Sequence, residues 1–173
     1  MMKSIKSFIL IICFFAGMLL GAFIKYQYEI SSYQPYAWND NTGGPVIANC
    51  YGPDFSKLQI TRAIDYWTIR GHKIAFYEHN PTDLICKSEW VNGFIILRKD
   101  KRLATNVLAS TKRMTSGITM KGAVISYQAG TFNLDLLNEH EIGHALGYTH
   151  VEEIGHIMNP IYELIGLEFK VTN

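Results

Sequence analysis

The chain has 173 residues and a mass of 19.7 kDa, enough for one modest domain with appendages and too short for two large folds. Hydrophobic residues make up 48% and charged residues 18%, with no Pro/Gly/Ser tract or like-charge block, which excludes a disordered or collagen-like chain. Lys and Arg number 16 against 15 Asp and Glu. A balance so near neutral gives no electrostatic basis for binding nucleic acid, so any partner must be read from a site.

Residues 8–24 form a 17-residue run without a charge, preceded by Lys3 and Lys6 and closed by Lys25. This is the pattern of a membrane-directed segment. As a helix the run would span about 25 Å, short of the roughly 30 Å hydrocarbon core, with Lys25 able to snorkel and Tyr26 and Tyr28 suited to the interface. The run is longer than the apolar region of about 7 to 15 residues in a cleaved signal peptide, and no small-x-small cleavage site stands near Gly21-Ala22. A transmembrane signal anchor over 7–25 is therefore expected in preference to a cleaved signal. Cys13, which follows Ile11-Ile12 within the run, reads as an apolar membrane residue rather than an acylation site. Residues 1–6 would stay in the cytoplasm and everything after Lys25 would lie outside it, membrane-attached or, if the segment is cleaved, secreted. Without Lys3, Lys6 and Lys25 the remainder carries 13 basic and 15 acidic residues, too even to select a substrate by bulk charge.

An oxidising compartment makes a disulfide between Cys50 and Cys86 possible, against the alternative of two buried thiols. Residues 26–43 mix aromatic, polar and turn residues without a period and read as a stalk, leaving 44–173 for the folded domain. Within it, 45–50 is a short strand and Gly52-Pro53-Asp54 is turn chemistry. Residues 58–70, with apolar Ile60, Ala63, Ile64 and Trp67, have the spacing of an amphipathic helix ended by Gly71. Strands are expected at 73–77, 93–97, 106–113 and 123–127, giving five in all. The basic cluster at 98–102 reads as a solvated loop.

The chemistry is concentrated in the segment 134–148, whose apolar positions Leu136, Leu137, Ile142, Ala145 and Leu146 give a helix with one buried side. His140 and His144, one helical turn apart, project from nearly the same face, a spacing that lets both nitrogens meet one ion. Glu141 lies about 100° round the helix from His140, where a base can stand to take a proton from a water. Gly147 permits a positive φ, so the helix can end there and the chain can bring His150 back as a third ligand. The full pattern, His140-Glu141-x-x-His144-x-x-Gly147-x-x-His150, arises by chance on the order of 10⁻⁵ times per chain of this composition, far less often than the first five positions alone. Three neutral nitrogens leave a fourth zinc position open, as a catalytic ion requires.

These residues resemble the extended zinc motif of the metzincins, in which a Met-turn follows. Met158 stands in that place, and 157–162 is similar to the matrixin form, with Pro160 where an astacin has a zinc-binding Tyr. The resemblance implies an α+β fold with a twisted five-stranded mixed sheet, a packing helix and an active-site helix. It implies one catalytic Zn²⁺ on His140, His144 and His150, with Glu141 as general base in the hydrolysis of peptide or protein substrates. It implies also an edge strand around Leu108 and Ala109 for pairing with substrate, and a specificity pocket walled by Pro160, Ile161 and Tyr162. No pattern for a structural zinc or calcium site follows Asp100. Residues 50–54 resemble a cysteine-switch peptide but fall inside the domain. The usual C-terminal helix is expected to be shortened or altered. His156 reads as a turn residue, with a role in tuning the metal as the alternative. An exported binding module that keeps the fold without cleaving is the alternative function; the intact Glu141 weighs against it.

Overall fold

A computed structural model describes residues 16–25, 33–39 and 43–169. The chain divides into two units, Met1–Tyr33 with Lys170–Asn173, and Gln34–Phe169. In the first, residues 16–25 are helical and exposed. Residues 7–15 of the expected membrane anchor lie outside the described residues. Among the described residues no helix is long and apolar enough to cross a membrane. The expectation of a transmembrane helix is thus not supported.

The second unit is built on a sheet of five strands: β1 (Val46–Asn49), β2 (Phe76–Glu78), β3 (Phe94–Lys99), β4 (Ala109–Ser116) and β5 (Thr119–Tyr127), in the order β2-β1-β3-β5-β4. β1 is parallel to β2 and β3, β3 is parallel to β5, and only β4 runs antiparallel, joined to β5 as a hairpin. The sequence accounts for the division. Ile47 and Ala48, Ile95 to Leu97, and Ala123 to Ile125 are continuous apolar runs, buried on both faces as central parallel strands must be. β4 alternates instead, with Ser110 and Lys112 more exposed than Ala109, Thr111 and Arg113, which is the pattern of a strand with one wet face at a sheet edge.

Helix α1 (Lys57–Ile69) starts at Ser56, whose hydroxyl accepts from the Gln59 amide at 3.4 Å. It buries Ile60, Ala63, Tyr66 and Trp67, the i, i+3, i+6, i+7 stripe of one helix face. Helix α2 (Asp83–Lys87) has no counterpart among the expected elements, because its five residues are too few to show a period. It carries Cys86, which is bonded to Cys50 at the end of β1 with their Cα atoms 5.3 Å apart. The bond takes Cys50 out of any cysteine-switch role as a free thiol.

Helix α3 (Leu137–Ala145) is shorter than the expected 134–148 segment. Leu136 takes a left-handed φ of 62° at its start, a conformation that leucine adopts only when its surroundings impose it. Trp67, wholly buried, joins the helices: its indole N–H donates to the Glu139 carbonyl at 2.7 Å and its ring stacks on Tyr148 at 5.0 Å.

The stalk boundary is corrected. Residues 34–38 belong to the folded unit, where Gln34 donates to the Leu146 carbonyl at 3.1 Å and the Trp38 indole to that of Ala145 at 2.9 Å. Both carbonyls lie at the end of α3, where a helix leaves its last carbonyls without intrahelical partners. Ala37 bridges to Thr119 in parallel. After Met158 the described chain forms only a short 3-10 turn (Tyr162–Leu164), and Phe169 packs 5.3 Å from the Trp67 and Tyr148 rings.

Candidate metal centre

α3 presents His140 and His144 from adjacent turns, with ring centroids 4.6 Å apart. Gly147, with φ at 108°, turns the chain back. A side chain there would also run into the Tyr36 backbone, so both φ and the close approach of residues 34–38 demand glycine. The turn brings the His150 ring to 4.6 Å from that of His144 and 5.5 Å from that of His140. One ligand atom from each histidine lies within 4.8 Å of the others, and the Nε2 atoms of His144 and His150 are 3.0 Å apart. Nitrogens bound tetrahedrally to a zinc ion at about 2.0 Å stand about 3.3 Å from one another, so the three rings fit one such ion after small adjustments.

The tautomers support the fit. His140 Nδ1 lies 2.8 Å from the Ile157 carbonyl and His144 Nδ1 lies 2.9 Å from that of Tyr148. A carbonyl only accepts, so each Nδ1 carries the proton and each Nε2 keeps a lone pair for a cation. Burial pushes the His140 ring down to about 4, with His150 nearby adding to the shift. It pushes His144 down to about 3, with His140 contributing. His150 is lowered by burial and by the Arg113 charge. Neutral imidazoles at ordinary pH are what metal coordination requires.

Glu141 is 5% exposed. Burial raises its carboxyl to about 7, and a hydrogen bond from Thr111 opposes the rise. Thr111 Oγ1 lies 2.5 Å from Glu141 Oε2. Nothing in the sequence marks Thr111, since the contact depends on β4 crossing α3 at this height.

Met158 is wholly buried beneath α3. The turn that carries it passes the Ile157 carbonyl to His140 and closes with Val151 N donating to the Met158 carbonyl at 2.9 Å. His156 lies outside the three-histidine cluster; it is buried and its Nδ1 accepts the Met158 amide at 3.0 Å. The turn-residue reading thus fits, with a specific hydrogen-bonding duty that the sequence does not reveal.

A cleft of about 860 Å³ opens over the three histidines and Glu141. Leu108, Ala109, Pro160, Ile161 and Tyr162 all line it, as do Asn106, Thr111, Arg113, Leu137, Asn159, Glu163 and Ile165. Two further ties hold the wall. Asn159 accepts from the Ile161 amide at 2.9 Å and donates to the Glu153 carbonyl at 2.8 Å. The Tyr162 hydroxyl donates to the Asp135 carbonyl at 3.0 Å. Arg62 joins Asp135 at 2.6 Å to the buried Glu139 at 2.9 Å, so one side chain of α1 steadies both the approach to α3 and its first turn. The local sequence could not show the links of Tyr162 and Arg62, because their partners lie 27 to 77 residues away.

Among curated proteins none matches the chain. The family model for the matrixins matches residues 65–173, a span that runs from the middle of α1 through the three histidines and Met158 and covers well over half of the sequence. Matrixins are zinc metallopeptidases. On that match, and with an α+β domain whose five-stranded mixed sheet sets three histidines around one point, the chain belongs to the matrixin family.

Proposed function

We propose that the protein is a zinc endopeptidase that cleaves extracytoplasmic proteins within an extended segment. The observation that carries this reading is the meeting of three neutral imidazoles with a buried carboxyl on the floor of a long open cleft. His140, His144 and His150 would hold a zinc ion, which when bound would supply Lewis acidity toward the scissile carbonyl and the attacking water. Glu141 accepts the proton of the attacking water and hands it to the leaving amine.

β4 stands last in the sheet, paired on one side to β5. Its other side offers backbone donors and acceptors to an extended peptide without regard to sequence. Leu108, Ala109, Pro160, Ile161 and Tyr162 all line the cleft, which supports the first two as the place of substrate pairing and the last three as the wall of a specificity pocket. Selectivity then falls to the side chain that enters this mostly apolar end. Met158 supports His140 from below through the turn that carries both Met158 and the Ile157 carbonyl.

Placement outside the cytoplasm is part of the same proposal. It rests on the uncharged run 8–24 behind Lys3 and Lys6 and on the Cys50–Cys86 bond, a feature of oxidising compartments. Whether that run stays as an anchor is tested by carbonate washing of membranes from expressing cells: retention supports it, and a soluble product beginning near residue 23 overturns it.

The activity is tested with the full chain purified in mild detergent and loaded with zinc, incubated with a diverse peptide library with and without a chelator. Internal cleavage that the chelator stops and zinc restores is the expected result. A loaded protein that binds peptides without cutting them would make the domain a binding module instead.

A further inference from the structure

We propose that Thr111 is the positioning residue for the carboxyl of Glu141, an inference that rests on reading Glu141 as the proton acceptor. Every third or fourth side chain of α3 faces the cleft, but a helix fixes only the Cα of a glutamate. The carboxyl hangs from three rotatable bonds, and a base works only within about 2.6–3.2 Å of the proton that it takes. Something outside α3 must therefore hold it.

β4 does so. Thr111 pairs with Ile125 of β5, and Ile125 is wholly buried in the central sheet, so the position of Thr111 is fixed by the core. From there its Oγ1 lies 2.5 Å from Glu141 Oε2 and 3.2 Å from the Glu141 carbonyl. A hydroxyl has one proton, and the nearer, more basic carboxylate oxygen takes it. With Oε2 engaged, Oε1 is the oxygen left to receive a proton from water. Two residues further on the same face, Arg113 donates to the Tyr148 carbonyl at 3.0 Å, and that carbonyl also holds His144 Nδ1. The inner face of β4 thus reaches both the base and a histidine of the metal site.

The consequence is geometric. The strand that offers its edge to an extended peptide also holds the base, so the separation between the peptide bond and the Glu141 carboxyl is set within one element. A misplacement of about 1 Å at such a site can reduce the rate by about 10²-fold.

The test uses Thr111→Val, which keeps the shape and removes the donor, and Thr111→Ser, which keeps the donor, in the zinc-loaded full chain. Thr111→Val should lower kcat by about 10- to 100-fold with KM and zinc content near those of the unaltered protein, and Thr111→Ser should recover most of the rate. An independent measurement follows the side-chain carboxyl ¹³C resonance of Glu141 in metal-free protein, identified by its loss in Glu141→Gln. That resonance should move in Thr111→Val and return in Thr111→Ser. An unchanged kcat in Thr111→Val, a loss confined to KM or zinc content, failure of serine to rescue, or an unmoved resonance would each overturn the assignment. If the unaltered protein cleaves no peptide, the peptidase reading fails by itself and the resonance decides whether Thr111 holds Glu141.

Discussion

The sulfur of Met158 occupies the space that a side chain on Gly143 would need. Gly143 lies on the underside of α3 between the two metal-facing histidines, and the Trp67 ring stands 2.6 Å from the same point. Glycine in a helix interior is unfavourable by about 1 kcal/mol relative to alanine, so packing rather than propensity selects it here. Gly143→Ala should reverse the usual gain and destabilise the protein by about 1 to 3 kcal/mol through overpacking. Chemical denaturation of the variant checks this, and a midpoint equal to or above that of the unaltered protein would show that the turn has room to yield.

Glu141→Gln separates the carboxyl's chemistry from the metal site. The variant should keep one zinc per chain by elemental analysis, because all three ring nitrogens remain, while peptide cleavage falls by at least about 10² to 10⁴-fold. Loss of zinc in this variant would make Glu141 a ligand, and full activity would remove it from the reaction.

The same substitution has a pH-dependent effect on the metal-free protein. The Glu141 carboxyl titrates near 7 when folded and near 4.5 as an ordinary glutamate, so the folded state binds the proton more tightly. Its contribution to stability is complete below about 4.5 and is lost as pH rises through about 7. The amide of the Glu141→Gln variant has no such proton to lose. The stability difference between the variant and the unaltered protein should therefore grow in favour of the variant from pH 4.5 upward and level off above pH 7, reaching up to about 3 kcal/mol. Denaturant titrations at pH 5 and 8 in the presence of a chelator measure it; a difference that does not change with pH would contradict the raised value.

The bond between Cys50 and Cys86 closes a loop with a sequence separation of 36. Replacing both cysteines by serine should cost roughly 3 to 4 kcal/mol if the bond acts mainly on the unfolded chain. Neither residue lines the cleft over the histidines, so the rate of whatever fraction remains folded should be unchanged. Denaturation midpoints and activity per folded molecule test the two halves of this statement.

Ile161 is half exposed on the cleft wall. Ile161→Lys should redistribute cleavage sites in a peptide library rather than stop cleavage, because a side-chain preference in an apolar pocket is worth only about 1 to 3 kcal/mol. An unchanged site profile would remove this wall from substrate selection while leaving the metal chemistry intact.

The metal-binding pattern is legible in the sequence because its geometry is local. His140 and His144 are one helical turn apart, and Gly147 allows the turn that returns His150, so spacing along the chain already implies three nitrogens around one point. The central strands are legible for a similar reason: apolar runs such as 95–97 must be buried on both faces wherever they go. The length of α3 is not, since Leu136 leaves the helix at a φ of 62° that only its tertiary surroundings enforce. Nor is the entry of residues 34–38 into the fold, because a segment without a period shows its role only through partners 107 to 112 positions away. The pairing of Cys50 with Cys86 is an open choice until β1 and α2 are brought together. Thr111 belongs with these. Sequence spacing determines which residues of one element share a face, whereas the meeting of Thr111 with Glu141 depends on how a strand and a helix 30 residues apart pack across the core, and only the tertiary structure decides that.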